Sequence, residues 1–381
     1  MDEGIKKLPD LAIAELVFTV TYDPSNQKAK KDLLVEIEKN KMYPLYKRLV
    51  EQLKWDEDKQ FAEKLKTDNE TELKQLDDKI KDSEENFGES EIREAFLAKS
   101  DFYCRIGDKD KAYSLYRQTF EKTVPLGQKL DLVFTVIRMG IFWMDHDLVS
   151  RNIEKAKTLV EEGGDWDRKN RLKTYEAVYL MSIRKFKEAS DLFLDTLASF
   201  TSTEFIEYSI FVQYLIFTSM LHLDRVSLKS KVIDSPDVLS VVRDVPHLQE
   251  LLLSYYNGEY NQFFTNLSYF SENIKGDRYL SSHARFLTRE LRIIAYTQFL
   301  ESYSSVRLDS MANEFGVSVD FIDRELSRFI SAGRLHCKID KVSGVIETTR
   351  SDNKNSMYKQ TLQQGDNLLN RIQKLSRVIN V

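Results

Sequence analysis

Ala112, Leu115, Tyr116, Thr119 and Phe120 stand at offsets 0, +3, +4, +7 and +8, and Ala189, Leu192, Phe193, Thr196 and Leu197 repeat that register. Such spacing lays one apolar stripe along a helix and commits that stripe to a partner. Each copy follows a break that turns the chain back, at Gly107 before the first and around Arg184 and Lys185 before the second. The helix ahead of the first break carries Ile92, Ala95, Phe96 and Tyr103, and Asp108 is placed to cap the next. A looser copy, Val149, Ile153, Ala156 and Val160, follows a turn at Asp145, and an aromatic one, Phe263, Phe264 and Leu267, follows Asn257 and Gly258. Small Ala112, Ala156 and Ala189 let two backbones approach closely. A helical hairpin of this kind cannot bury its apolar face alone, so the units must stack as a solenoid. The three alanines are 44 and 33 residues apart, so the repeat is degenerate.

Residues 306–350 leave this pattern and read as a winged helix. Leu308, Met311, Ala312 and Phe315 recur at helical spacing, with Asp309 able to cap the start. Gly316 supplies a tight turn, and Ser318 caps a second helix whose apolar positions are Phe321, Ile322, Leu326, Phe329 and Ile330. After Gly333, Leu335, Cys337 and Ile339 alternate with polar residues, and Val345 and Ile346 open a second extended run beyond a turn at 341–344. That predicts a two-stranded hairpin.

The remaining segments are read as helical. Only six prolines occur among 381 residues, against 22 Phe and 18 Tyr, which favours an all-α body of two or three packed units. Residues 1–54 suggest two or three short helices, the stretch 28–40 being amphipathic through Leu33, Leu34 and Ile37. Residues 55–91 hold fourteen Asp or Glu against six Lys, with a sparse stripe at Phe61, Leu65, Leu73, Leu76 and Ile80. A solvated helix accounts for them, and an acidic docking surface for a basic partner is the alternative. The most apolar stretch, 205–223, is interrupted by Glu207, Gln213 and His222, which predicts a buried core helix rather than a membrane span. Residues 227–246 look like a joint between stacked helices. In the tail, Leu368, Ile372, Leu375 and Ile379 are spaced by four, three and four, a short coiled-coil seam widened by Leu362, Leu369 and Val378. Such a face needs a partner, either another chain or its own.

Chemistry is not in evidence. His146, His222, His247, His283 and His336 share no metal-binding spacing, and no Walker, GxGxxG or GxSxG pattern occurs, so neither metal nor cofactor nor catalysis is expected. Cys104 and Cys337, 233 positions apart, read as reduced, packed thiols of an intracellular protein, and the N-terminal residues lack a signal-peptide layout. Net charge of −5 gives no general pull toward nucleic acid or an anionic membrane. The second helix of the winged helix carries Asp320, Asp323, Arg324, Glu325 and Arg328, and residues 301–350 hold seven basic against eight acidic groups. A phosphate backbone would be repelled about as much as attracted. A hairpin edge able to pair with a neighbouring strand makes protein association the better reading.

The hairpins resemble tetratricopeptide repeats without their full consensus. A solenoid ending in a winged helix resembles the PCI domain. Three stretches carry a closer likeness: AFLAKSDFYCRIGDKDKAYSLYRQTFEKTV (95–124), GRLHCKIDKVSGVIET (333–348) and MYKQTLQQGDNLLNRIQKLSRVINV (357–381) resemble a PCI-domain subunit family of the 26S proteasome regulatory-particle lid. The likeness implies an all-α fold with a small β wing, divided as an N-terminal helical segment (1–90), helical repeats (91–184), a PCI domain (185–353, with its helical part at 185–303 and winged helix at 304–350) and a terminal helix (354–381). It implies a non-catalytic scaffold in ubiquitin-dependent protein degradation, working in cytoplasm and nucleus. Its partners would be other PCI subunits, metalloprotease-fold lid subunits and the ATPase ring, with no nucleic acid, membrane or cofactor. The wing contacts would be Leu335, Cys337, Ile339, Val345 and Glu347, within 335–339 and 345–349. The bundle face would be Leu368, Ile372, Leu375 and Ile379. A signalosome scaffold of the same architecture and a winged-helix nucleic-acid binder are the alternatives.

Overall fold

The computed structural model describes residues 7–55, 58–86, 88–245, 247–348 and 353–379, so Pro246, Thr349, Arg350 and Val381 lie outside the described residues. Contacts divide the chain into two units: Met1–Leu252 with Tyr269–Phe286, and Leu253–Ser268 with Leu287–Val381.

The first unit opens with α1 (Leu11–Tyr22), α2 (Gln27–Lys39) and α3 (Tyr43–Leu53), three short helices. Asn26 caps α2, and Leu33 and Ile37 are fully buried on its inner face. The acidic stretch forms α4 (Lys59–Asn86), which buries a narrow stripe at Ala62, Leu65 and Ile80. Its inward carboxylates are taken by bases on the next helix, α5 (Glu89–Ile106): Asp77 by Lys99 and Glu72 by Arg105, both at 2.6 Å. The solvated-helix reading therefore accounts for α4.

Three hairpins follow. α5 turns back into α6 (Lys109–Lys122), α7 (Leu126–Phe142) into α8 (His146–Gly163), and α9 (Trp166–Ser182) into α10 (Phe186–Thr196). Each reversal uses one left-handed residue: Gly107 at φ 84°, Met144 at 54° and Arg184 at 71°. Asp108 and Asp145 then cap the returning helices by accepting the N–H of Lys111 and of Leu148. Ala112, Ala156 and Ala189 are each wholly buried, as the shared register requires. Close approach has a second device at Gly140 on α7, where an added Cβ would lie 2.7 Å from Val149 Cγ2 on α8. Gly→Ala in an ordinary helix gains about 1 kcal/mol, whereas overpacking a core costs about 1–3 kcal/mol. Gly140→Ala is therefore expected to lower stability, by up to about 2 kcal/mol in denaturant unfolding. A stabilised variant would show that the two helices can spread.

The apolar stretch is α11 (Tyr208–His222), interior along most of its length, and no helix among the described residues is long and apolar enough to cross a membrane. The joint is built from α12 (Arg225–Leu228), one π turn at 229–233 and α13 (Pro236–Val242). α14 (Leu248–Asn257), α15 (Tyr260–Gly276) and α16 (Ala284–Glu301) each give residues to both units.

In the second unit, β1 (Ser305–Arg307) precedes α17 (Leu308–Phe315) and α18 (Val319–Ser331), then β2 (Cys337–Asp340) and β3 (Val345–Thr348). The predicted two-stranded wing is thus a three-stranded antiparallel sheet in the order β1-β3-β2. Val306 and Ile339 both pair with Ile346, which is fully buried. Asp309 is not the cap. Arg307 holds that position, its side chain making no capping bond, and Asp309 sits in the first turn of α17. Ser318 does cap α18, its Oγ accepting the Phe321 N–H. The chain ends in α19 (Asn353–Ile379).

Candidate partner-docking surfaces

The wing and the terminal helix carry the residues expected to meet partners. Period-two spacing along β2 and the residues just before it puts Leu335, Cys337 and Ile339 on one side, and that side faces inward: Leu335 and Cys337 are buried and Ile339 half-buried. Val345 is also half-buried, and of the five expected wing residues only Glu347 is exposed, opposite exposed Lys338 on β2. Leu335 and Cys337 therefore serve the chain's own core, which corrects the expectation for their side chains. What the wing leaves open is backbone: β3 is paired on both sides, whereas β2 and β1 are the sheet's edges. At the tip, Val342 is 99% exposed, a feature the sequence reading passed over.

On α18, Phe321 was expected inside and is exposed, while Glu325 is buried. Glu325 accepts the Tyr296 hydroxyl at 2.9 Å and pairs with Arg292 at 3.1 Å, so its charge is answered inside the unit. Lys341 pairs with Asp323 at 3.0 Å. Beside buried Glu325, the helix carries Asp320 and Asp323 against Arg324 and Arg328, which balance rather than forming a basic face for phosphate.

Every described side chain on α19 is exposed. Ile372 is 53% exposed, Leu368 60%, Leu375 59% and Ile379 72%, so the seam has no partner within the chain, and folding back on itself is excluded for the described residues. Met357 and Tyr358 extend this apolar surface toward the helix start. A helix with such a face gains most of its stability from what covers it.

Both cysteines are free and buried, and burial pushes the Cys104 thiol up to about 12. A thiolate is the reactive form, so neither sulfur is expected to react with Ellman's reagent in the folded chain, and two equivalents should appear in denaturant. Reaction of either thiol without denaturant would place it at the surface.

Comparison with known proteins matches these parts in order. A family model described as 26S proteasome subunit RPN7 matches residues 58–231, the PCI domain matches 254–350, and the C-terminal helix of 26S proteasome regulatory subunit RPN7/PSMD6 matches 357–379. The 26S proteasome non-ATPase regulatory subunit 6 of Dictyostelium discoideum is 76% identical over 382 residues, covering 100% of both chains. The homolog of that subunit in Arabidopsis thaliana is 51% identical, again over 100% of both. The 26S proteasome regulatory subunit RPN7 of Saccharomyces cerevisiae is 36% identical over 100% of this chain and 96% of its own. The winged helix, the unpartnered tail and these full-length likenesses agree, and the chain belongs to the RPN7/PSMD6 family of 26S proteasome regulatory subunits.

Proposed function

We propose that the chain is a non-catalytic scaffold of the proteasome lid that acts by geometry in the cytoplasm and nucleus. The observation that carries this reading is α19, whose apolar seam is exposed throughout and lies in the part matched to the family's C-terminal helix. Its occupants are the terminal helices of other lid subunits, including those of the metalloprotease fold, gathered into one bundle. The edge of β2 offers unpaired backbone groups to the wing of a neighbouring PCI subunit, a main-chain mode of recognition that needs no side-chain code. The helical hairpins supply stiffness between these attachments and whatever the lid rests on, including the ATPase ring.

Native mass spectrometry of the chain purified at its natural abundance tests this. Lid and ATPase-ring subunits in equal stoichiometry support the reading. A signalosome set, a lone chain or bound nucleic acid would overturn it.

A further inference from the structure

Away from both docking surfaces, Trp166 opens α9 with 65% of its surface exposed, and its surroundings set it apart from the other two tryptophans. Trp55 has the Lys30 ammonium over its ring at 4.4 Å. Trp143 has the Arg48 guanidinium at 4.5 Å and Phe142 edge-on. Among the described residues, no cation and no ring meets Trp166. Tryptophan is on average a well-buried residue, and its π-face is the best side-chain platform for a cation.

The turn that presents this ring is acidic. Glu161 and Glu162 lie in the last turn of α8, Asp165 and Asp167 flank the ring, and no basic residue lies between 161 and 167. Glu161 and Glu162 are exposed and make no ion pair among the described residues. They stand at the negative end of α8, where a carboxylate is disfavoured unless a cation answers it. Two of the nearest bases are committed. Lys157, one turn back on α8, is held by Glu176 at 2.5 Å, and Arg168 bonds Asp131 at 2.9 and 3.1 Å and also Asp165. Lys169 is exposed on α9 and bonds to none of the four acids. The Arg168 bonds tie the start of α9 to α7, so the ring stands on a braced turn and little order is lost on binding there. A Cβ on Gly163 would lie 3.5 Å from Leu126 Cδ2, so the loop from α6 to α7 runs beside this turn. On that loop Val124 is 78% exposed.

We propose that this turn docks an arginine presented by a basic segment of a partner protein. Its guanidinium stacks on Trp166, Glu161 and Glu162 answer the segment's charge, and Val124 offers an aliphatic contact beside it. Arginine suits the place better than lysine, because it can lie on an aromatic face while its in-plane donors stay free for carboxylates. Tryptophan and arginine are also the residues enriched at the centres of protein interfaces. The same four carboxylates would repel a phosphate backbone or an anionic lipid surface, which leaves a protein as the partner. The site belongs to the hairpins and needs neither α19 nor the wing.

The three tryptophans give three indole N–H signals in the ¹⁵N spectrum of the full-length chain, and loss of one in Trp166→Phe assigns the signal of interest. Acetyl-Arg-Gly-Arg-amide is the probe, and its citrulline analogue is the neutral control of the same shape. The Trp166 signal should move saturably at low millimolar probe while those of Trp55 and Trp143 stay in place. Citrulline should bind at least tenfold more weakly, and acetyl-Lys-Gly-Lys-amide several-fold more weakly. Glu161→Gln with Glu162→Gln, both at exposed positions, should leave the thermal midpoint level and weaken the probe about two- to tenfold. No shift at 10 mM probe, on the order of the weakest useful affinity, would overturn the site. So would equal shifts of all three indoles, equal affinity for citrulline, or undiminished binding by the folded double variant. Lysine binding as tightly as arginine would overturn the choice of arginine.

Discussion

Ile372→Asp combined with Leu375→Asp is expected to exclude the chain from its complex while leaving the free chain folded. In the isolated molecule both side chains are already in water, at 53% and 59% exposure, so the exchange touches no core. Its cost there is the lower helix propensity of aspartate, below about 0.7 kcal/mol per residue. In a bundle the balance reverses. Two large aliphatic side chains contribute roughly 3–6 kcal/mol when covered, and a carboxylate put in their place is buried without a partner. Association should weaken by at least about a hundredfold on the first contribution alone. Asn370→Asp with Gln373→Asp adds the same charge on the opposite side of α19 and is the control. Circular dichroism should report equal helix content in all three chains, and affinity purification should recover lid partners with the wild type and the control only. Normal incorporation of the seam variant would remove the bundle from the account.

What the sequence made legible follows from which physical patterns are local. The shared register located α6 and α10, and the alanines within it marked where backbones meet, because helix periodicity and residue size are both written residue by residue. The apolar seam of α19 was legible for the same reason, and so was its need of a partner. β1 was not: three residues, Ser305–Arg307, are too few to alternate, and the strand exists because Val306 finds Ile346 across the sheet. Alternation in β2 told which side chains share a face, but the direction of that face depends on the packed sheet, so Leu335 and Cys337 were assigned to a partner when they fill the chain's own interior. Arg138, 3% exposed on α7, shows the limit most sharply. One arginine in an apolar helix reads as a side chain that snorkels to water, and only the packed hairpins enclose it.

Phe315→Ala and Phe321→Ala should separate two residues that hydrophobic pattern alone had treated alike. Phe315 ends α17 with no exposed surface, and four rings surround it: Tyr260 stacked at 4.6 Å, Tyr296 at 4.9 Å, Phe264 at 5.1 Å and Phe299 edge-on at 5.4 Å. Truncation removes a whole ring from this cluster and leaves a cavity its rigid neighbours cannot close, which typically costs about 3–5 kcal/mol. Phe321 is 38% exposed on the outer side of α18, and its loss should cost within about 1 kcal/mol. The physical difference is one helical step. Ile322, Leu326 and Phe329 share a buried face with Glu325, and Phe321 lies just outside it. Hydrogen exchange on the full-length chain reads the contrast directly: amides of α17 and α18 should lose most of their protection in Phe315→Ala and keep it in Phe321→Ala. Because the β2 edge can meet a neighbour only while the winged helix is folded, the first variant should also fail to enter the complex, and the second should enter it unless Phe321 itself is covered there. Equal protection in the two variants would show that the four rings do not hold α17 in place.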